Sequence, residues 1–229
     1  MKKIFIFTFT FLFINSYSQN STLETRNNVN EFKNLTNIGG WLPGKIEDKT
    51  IKGSVYLFPN WNGIHKVTTK NGEKIQLLNL NYNIKNKTLE SYVSSDSVFQ
   101  YDIDKFDFFL KSNLKYKVIE INNVKGLFQE IYYSPKLMLY KEPLISITSG
   151  VINPLTQEKM QQDSYELNFV YYLFVNNKFE KINLKKADLF KHFTKEKNLI
   201  KEFVSKNNLD YSDEVSFIKI LNYLNTIVN

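Results

Sequence analysis

Cysteine is absent from this 229-residue chain, and histidine occurs only twice. Without a thiolate the chain has no disulfide, no thiol nucleophile, no zinc–thiolate site and no cysteine-held iron–sulfur cluster. The eight glycines are scattered, and Gly39-Gly40 precedes Trp41-Leu42-Pro43 rather than a helix carrying Lys and Ser or Thr. A phosphate-binding loop is therefore absent as well. We expect a protein with no cofactor and no metal site.

Arginine is almost as scarce, because only Arg26 among the 30 basic residues is an arginine. The formal net charge is nevertheless +7, and the sequence pI is about 9.2. Proteins that bind nucleic acids rely on arginine for bidentate contacts and for stacking, which lysine does not replace. The abundance of Lys, Asn, Ile, Phe and Tyr is also typical of an AT-rich coding sequence. We therefore expect no nucleic-acid partner in spite of the positive charge.

The first eighteen residues have the three-part layout of a secretory signal peptide. Lys2 and Lys3 give a positive start, the apolar run from Ile4 to Ile14 is broken only by two threonines, and Ser16-Tyr17-Ser18 supplies small residues at the −3 and −1 positions. A membrane anchor is the alternative, but a bilayer span takes about 20 apolar residues. We predict cleavage near Ser18-Gln19 and an exported protein, periplasmic or extracellular, with no transmembrane segment after cleavage.

The middle of the chain shows the two-residue period of β-strands. Asn71-Gly72 predicts a type I′ hairpin, because Asn-Gly tolerates the positive φ that both positions of this turn need. The hairpin joins strands at 64–69 and 74–84, and in the second strand leucine, tyrosine and isoleucine alternate with asparagine. The same alternation predicts one apolar face for the next strand, formed by Phe106, Phe108 and Leu110.

A third strand signal and the turn spacing indicate how these strands are arranged. The segment Tyr165 to Val175 is apolar on both faces at its centre, which predicts a strand covered on both sides. Turn residues recur every ten to fifteen positions over much of the region. That spacing favours an antiparallel meander, because parallel strands need long crossover connections.

After Ile182 the apolar period becomes that of a helix. Three short helices are predicted around 189–193, 199–204 and 217–228, with Ser212 and the following Asp213-Glu214 at the start of the last one. Amphipathic helices of this length must bury their apolar stripes, so we expect them to pack on one face of the sheet. The prediction is an α+β protein with a signal peptide at 1–18, a β-rich region at 19–182 and a C-terminal helical region at 183–229 in the same domain.

Two stretches of the chain carry a resemblance to a known group of proteins. The first stretch contains Gly53-Ser54-Val55-Tyr56-Leu57, Gly63, Asn71-Gly72 and Leu80-Asn81-Tyr82-Asn83-Ile84. The second stretch contains Lys185-Lys186, Leu189, Phe203, Lys206, Asp213-Glu214 and Tyr223-Leu224-Asn225. They resemble uncharacterised secreted proteins of Bacteroidota, apart from Val55 at a position where proline is expected. The resemblance implies an exported protein with an N-terminal sheet and C-terminal helices, and it assigns no activity.

Aromatic side chains are the best candidates for a ligand-binding site. Flat rings stack on sugars and on acyl chains, and Trp41, Trp61 and Tyr92 are the rings that we predict to be exposed for this purpose. Alternating aromatic residues in strands belong to the core more often than to a site, which is the other interpretation of the same residues.

Catalytic and metal-binding signals are weak by comparison. Asp102, Asp104 and Asp107 are clustered, but Lys105 and Phe108 interrupt the pattern of a calcium loop, so we interpret them as a solvated turn. The chain has no Gly-x-Ser-x-Gly motif around a serine nucleophile. A pair of carboxylates with glycosidase spacing cannot be recognised from sequence.

One modification site follows from the resemblance to proteins of Bacteroidota. Asp96-Ser97-Val98 looks like the Asp-Ser/Thr-apolar tripeptide that these bacteria O-glycosylate on exported proteins, and it falls in a predicted turn. Ser97 is therefore the expected acceptor.

These observations favour a protein that binds rather than catalyses. We expect a periplasmic or envelope binding module whose ligand is a glycan, a lipid or a protein. One alternative is a hydrolase that uses carboxylates on loops around Trp61 and Asp102. The other is an envelope assembly partner that docks through an exposed apolar stripe on its last helix, between Phe217 and Val228.

Overall fold

The computed structural model describes residues 39–43, 50–94 and 97–228, with the backbone alone at 41–43. The predicted signal peptide therefore lies outside the described residues. The strands are β1 (Gly39–Pro43), β2 (Ile51–Lys52), β3 (Ile64–Thr69), β4 (Lys74–Leu78), β5 (Leu80–Asn83), β6 (Thr88–Ser94), β7 (Ser97–Tyr101), β8 (Phe106–Lys111), β9 (Leu114–Ile121), β10 (Val124–Tyr133), β11 (Met138–Thr148), β12 (Asp163–Val175) and β13 (Lys178–Ile182). The helices among the described residues are α1 (Lys186–His192), α2 (Lys197–Lys206) and α3 (Glu214–Ile227).

The strands form two sheets that are antiparallel except for one short pairing. The smaller sheet has the order β1-β7-β6-β5. The larger sheet has the order β13-β12-β11-β10-β9-β8-β3-β4, and β2 runs parallel to the start of β12. Most neighbours in space are consecutive in the chain, as in a meander, and the three helices follow the last strand. The predicted α+β class, with a mainly antiparallel meander and C-terminal helices, is confirmed.

One face of the larger sheet is covered near β8 and β9 by the segment that precedes β3. This segment runs beside β5 and makes backbone hydrogen bonds of 2.9–3.0 Å with Tyr82 of β5 and with Ile84 just after it. Its Phe58 ring then packs edge-to-face against Phe109 and Tyr116 of the larger sheet. Such ring contacts add about 0.5–1.5 kcal/mol each to the stabilisation from buried area. The segment therefore ties the smaller sheet to β8 and β9.

The helices cover the same face near β11 and β12. Tyr116, Gln129, Lys141 and Tyr171 are successive cross-strand partners, so their side chains share that face. Lys141 Nζ and Tyr171 Oη both donate to the Glu214 carboxylate at the start of α3, at 2.8 and 2.7 Å. Strands β10–β13 and all three helices contribute side chains to one core, which includes Leu139, Leu173, Leu189, Ile200, Phe217, Leu221 and Leu224.

The turn between β3 and β4 lies at the predicted place but has a different geometry. Gly72 has φ 81°, whereas Asn71 has negative φ. Gly72 N donates to Thr69 O at 2.9 Å, and Thr69 N donates to Glu73 O at the same distance. A type I′ turn needs positive φ at both central residues, so the prediction of that turn type is wrong. Only the glycine adopts the left-handed conformation here.

The prediction of a single strand at 74–84 is wrong, because the chain passes from the larger sheet to the smaller one at Asn79. Asn79 has φ 51° and donates its backbone N–H to Gly63 O at 2.9 Å. In β5 the asparagines are buried together with the apolar residues, since Asn81 exchanges two hydrogen bonds with the backbone of Phe58, at 2.8 and 3.0 Å. Amide side chains that satisfy a neighbouring backbone are therefore part of this core.

The predicted apolar face of β8 is also wrong. A bulge in the β3–β8 pairing sets Thr69 opposite Phe106 and Thr68 opposite Phe108, leaving Asp107 as the additional residue. The bulge shifts the alternation, so the buried pair is Phe106 and Phe109, each 1% exposed, while Leu110 is exposed. A strand with one inserted residue does not keep the two-residue period on which the prediction depended.

Strand β12 is covered on both sides only toward its end. Residues 171–175 are half-buried or buried on both faces of the strand, whereas residues 166–169 are exposed on both faces. Leu167 and Phe169 are each 42% exposed. The prediction of a fully covered central strand at 165–175 therefore holds for its second half and is wrong for its first half.

All three helices form where the apolar period predicts them, with one change at a cap. Asp213 Oδ2 accepts a hydrogen bond from Ser216 N at 2.8 Å, so Asp213, and not Ser212, is the N-cap of α3. The stripe of Phe217, Leu221 and Leu224 is completely buried, so this helix presents its apolar side to the sheet and not to solvent. No helix among the described residues is long and apolar enough to cross a membrane.

Candidate functional site

Two of the three aromatic residues predicted to bind a ligand contact each other. The Trp61 ring centroid lies 6.0 Å from that of Tyr92 on β6 and 4.4 Å from that of Tyr56. Tyr56 is buried, Trp61 is half-buried, and Tyr92 is 42% exposed. The rings thus lead from the core to the solvent, and Tyr56 supports Trp61 from beneath.

Three exposed apolar residues lie near this aromatic pair along the backbone. Ile64 and Leu78, which are cross-strand partners in β3 and β4, are 63% and 46% exposed, and Val93 is 43% exposed. The backbone joins these positions closely, because Tyr92 N donates to Asn79 O at 3.0 Å and Asn79 N donates to Gly63 O at 2.9 Å. We call the contacting pair Trp61 and Tyr92 the Trp61 surface.

The third predicted aromatic residue, Trp41, lies on β1. Its backbone pairs with Phe99 of β7, whereas Tyr92 pairs with Val98 of the same strand. The side chain of Trp41 lies outside the described part of the structure. Its role in binding stays a prediction.

A buried carboxylate fixes the position of Tyr56 under Trp61. Glu90 is 4% exposed and accepts hydrogen bonds from Tyr56 Oη at 2.6 Å, Thr88 Oγ1 at 2.7 Å and Asn83 Nδ2 at 3.3 Å. A charge-capable group in the core is tolerated only when its oxygens are satisfied in this way. The sequence did not indicate it, because Thr88 and Glu90 lie on one strand whereas Tyr56 comes from a segment 34 residues earlier.

A second buried polar group, His65, lies beside the same segment. Lys111 Nζ lies 3.1 Å from His65 Nε2 and 3.4 Å from the carbonyl oxygen of Asn60, and it stands 4.1 Å from the centre of the Phe58 ring. His65 is 2% exposed. Since the ammonium donates to Nε2, the imidazole is the neutral tautomer with its proton on Nδ1. Lys111 thereby connects β8 to the loop that carries Trp61.

Burial and the neighbouring cation both disfavour protonation of this histidine. Burial is the larger cause, and Lys111 is the second, while the backbone near Leu77 and Gly63 acts in the opposite direction; the pKa of His65 falls to about 4. Burial also lowers the pKa of Lys111. A histidine that is neutral over the physiological range and covered by protein serves here as a hydrogen-bond acceptor.

The second histidine lies in a polar cleft at the other end of the sheet. A cleft of about 400 Å³ between β13 and α1 is lined by His192, Glu180 and Asp188 together with lysines. His192 Nδ1 is 3.9 Å from Glu180, but both carboxylates are occupied by lysines, Glu180 by Lys178 and Asp188 by Lys191.

Those ion pairs decide which proton transfers the cleft can support. The hydrogen bond from Lys178 lowers the pKa of Glu180, and the one from Lys191 lowers that of Asp188. Carboxylates held ionised in this way do not act as general acids near neutral pH. The cleft is formed by β13 and α1 and not by the loops around Trp61 and Asp102, where the hydrolase alternative expects its carboxylates.

The aspartates between β7 and β8 have structural roles. Asp102 accepts a hydrogen bond from Asp104 N at 3.0 Å and caps a short 3₁₀ helix, and Asp104 pairs with Lys125. Within the described ranges no group of three or more His, Asp or Glu side chains is placed to hold a metal ion.

Ser97, the expected glycosylation acceptor, is the first residue of β7. Its hydroxyl lies 2.8 Å from that of Ser94, and its backbone pairs with Ser94 and with Pro43. Asp96, the first residue of the tripeptide, lies outside the described residues. Modification of Ser97 stays a prediction.

Comparison with known proteins adds no relative. The chain matches no protein-family model, no curated protein and no solved structure. Its function must therefore be argued from the geometry of its own residues.

Proposed function

We propose that this chain is an exported binding protein of the periplasm or cell envelope, and that it binds a glycan at the Trp61 surface. The observation that carries the proposal is the contact between Trp61 and Tyr92, two rings of which the outer is 42% exposed. Flat, partly exposed aromatic rings offer the apolar face on which a sugar ring stacks. The export half of the proposal depends on the signal-peptide layout of residues 1–18.

The residues beside the rings suit a glycan because they combine apolar surface with hydrogen-bonding groups. Asn60 and Asn62 flank Trp61 and are both exposed. An amide both donates and accepts hydrogen bonds, which matches the hydroxyl groups of a sugar. A ligand with an apolar face and a polar rim therefore finds complementary groups on this loop.

The supporting structure beneath the rings favours binding without a conformational change. Tyr56 is fixed by Glu90, and Lys111 holds the carbonyl of Asn60 next to Trp61. Side chains that are held before the ligand arrives lose less conformational entropy on binding. The buried network under the surface is therefore part of the proposed site, although it touches no ligand.

Replacing Tyr92 with alanine is expected to weaken glycan binding by at least about tenfold, the effect of losing roughly 1.4 kcal/mol of stacking contact. The measurement is binding of residues 19–229 to an array of bacterial and plant glycans, followed by calorimetry on each glycan that is retained. Tyr133→Ala is the matched control, because Tyr133 is another surface tyrosine, 57% exposed, on β10.

The two variants separate the proposal from a general effect of removing a tyrosine. Wild type and Tyr133→Ala should retain the same glycans with the same affinity. A wild-type protein that retains no glycan contradicts the proposal, and so does equal binding by Tyr92→Ala.

A further inference from the structure

The positive charge of the chain is concentrated in the segment from β13 through α1 to the first turns of α2. Residues 178–201 contain eight lysines and three carboxylates, a surplus of five, while the whole chain has a surplus of seven. An AT-rich coding sequence accounts for the number of lysines, but it does not account for their collection in one part of the fold. This local surplus creates a positive potential over α1 and α2.

Three of these lysines converge on a single aromatic ring. The ammonium groups of Lys186 on α1 and of Lys197 and Lys201 on α2 lie 5.8, 6.0 and 5.8 Å from the centre of the Phe190 ring. No two of them are therefore further apart than twice that distance. Because lysine side chains are long and rotatable, all three can reach one small anion. We call Lys186, Lys197 and Lys201 the lysine cluster.

The lysine cluster makes no ion pair with a carboxylate among the described residues, although Glu196 and Glu202 adjoin two of its members in sequence. Lys178 and Lys191 nearby are paired with Glu180 and Asp188. Like charges held together repel one another, and the Phe190 ring offsets only part of this cost. An anion would remove the repulsion.

The start of α2 adds to the electrostatic cost of holding these three lysines close together. Lys197 is the first residue of this ten-residue helix, the first turn contains no acidic residue, and Glu196 at the N-cap makes no side-chain capping hydrogen bond. The helix dipole makes this end positive, so a lysine there is unfavourable. Folded proteins accept violations of local preferences of this kind at functional or strained sites and offset their cost elsewhere.

We propose that the lysine cluster binds a phosphate group carried by a ligand. A phosphate offers several oxygens to three ammonium donors at once, and lysine binds phosphate as a point charge without the bidentate geometry of arginine. The proposal does not depend on the Trp61 surface, since it concerns different helices and a different ligand chemistry. The phosphate belongs either to a soluble phosphate ester or to a lipid headgroup, and the test distinguishes these sources.

The test compares two variants with the same loss of charge. The site variant carries Lys186→Gln, Lys197→Gln and Lys201→Gln. The control variant carries the same change at Lys66, Lys74 and Lys136, which are exposed and lie in other parts of the fold. Pyrophosphate and glucose 6-phosphate are titrated at constant ionic strength, and vesicles of phosphatidylglycerol are compared with vesicles of phosphatidylcholine in a sedimentation assay.

Wild type and control variant should bind the same probe, and saturation of a soluble probe should raise Tm by about 5 °C. The site variant, checked for native circular dichroism, should bind that probe at least about tenfold more weakly. Binding of a soluble probe identifies a phosphate ester as the source, and binding of phosphatidylglycerol vesicles alone identifies a headgroup. Absence of binding to every probe, or an equal loss in the control variant, would overturn the proposal.

Discussion

Replacement of Glu90 by alanine is expected to lower the free energy of unfolding by about 3–5 kcal/mol, a large part of the stability of a domain of this size. Glu90 accepts hydrogen bonds from Tyr56, Asn83 and Thr88 at a position that is 4% exposed. The substitution removes the acceptor of all three and leaves a cavity where the side chain was. Equilibrium unfolding in guanidinium chloride measures the change.

Two further variants show whether the hydrogen bonds cause this loss. Glu90→Gln keeps the shape of the side chain and one acceptor oxygen, so it should lose clearly less stability than Glu90→Ala. Glu120→Ala removes an exposed glutamate from β9 and should stay within about 0.5 kcal/mol of wild type. A Glu90→Ala protein within 1 kcal/mol of wild type would show that Glu90 does not hold the core under Trp61 together.

Acidification is expected to destabilise the protein between about pH 6.5 and pH 4 because of His65. The pKa of His65 falls from 6.5 to about 4 on folding, so in this window the unfolded chain binds a proton that the folded protein does not. The contribution of neutral His65 to the free energy of unfolding is therefore fully present above pH 6.5, and it is lost as the pH falls toward 4. A pKa shift of this size corresponds to a loss of about 3 kcal/mol in the free energy of unfolding.

The comparison that isolates His65 uses a variant without its titration. Glutamine in place of His65 still offers an acceptor to Lys111 but takes up no proton, so the fall in stability between pH 6.5 and 4 should be smaller in His65→Gln by that amount. The other histidine, His192, is present in both proteins, so its effect on stability cancels in the comparison. Parallel pH profiles of Tm for the two proteins would exclude His65 as the cause of acid destabilisation.

Sequence patterns predicted the fold best where a regular period is maintained over several residues. The apolar stripes of α2 and α3 and the antiparallel order of the strands were predicted, because burial of a regular stripe depends on sequence periodicity alone. The prediction of which residues form the apolar face of β8 was wrong, because the bulge at Asp107 shifts the alternation of buried and exposed side chains. A bulge depends on the pairing with β3, which the sequence of one strand does not contain.

The candidate site was predicted only in part, for a similar reason. Trp61 and Tyr92 were identified by residue type, and the structure brings them into contact. Their supports, Glu90 and Lys111, were missed, since Glu90 lies 34 residues from Tyr56 and Lys111 lies 46 residues from His65. Polar groups that are buried by tertiary contacts have no periodic signature, so no pattern in the sequence indicates them.

The most direct test of the proposed function observes Trp61 while the ligand binds. The chain has two tryptophans, so Trp41→Phe leaves Trp61 as the only indole fluorophore. Titration of this variant with each glycan retained by the wild-type protein should give a saturable change in emission. Its midpoint should equal the Kd that calorimetry gives for the same variant, because the sugar ring would replace water at the exposed part of the ring pair. Unchanged Trp61 emission at saturating glycan would place the ligand elsewhere and contradict the account.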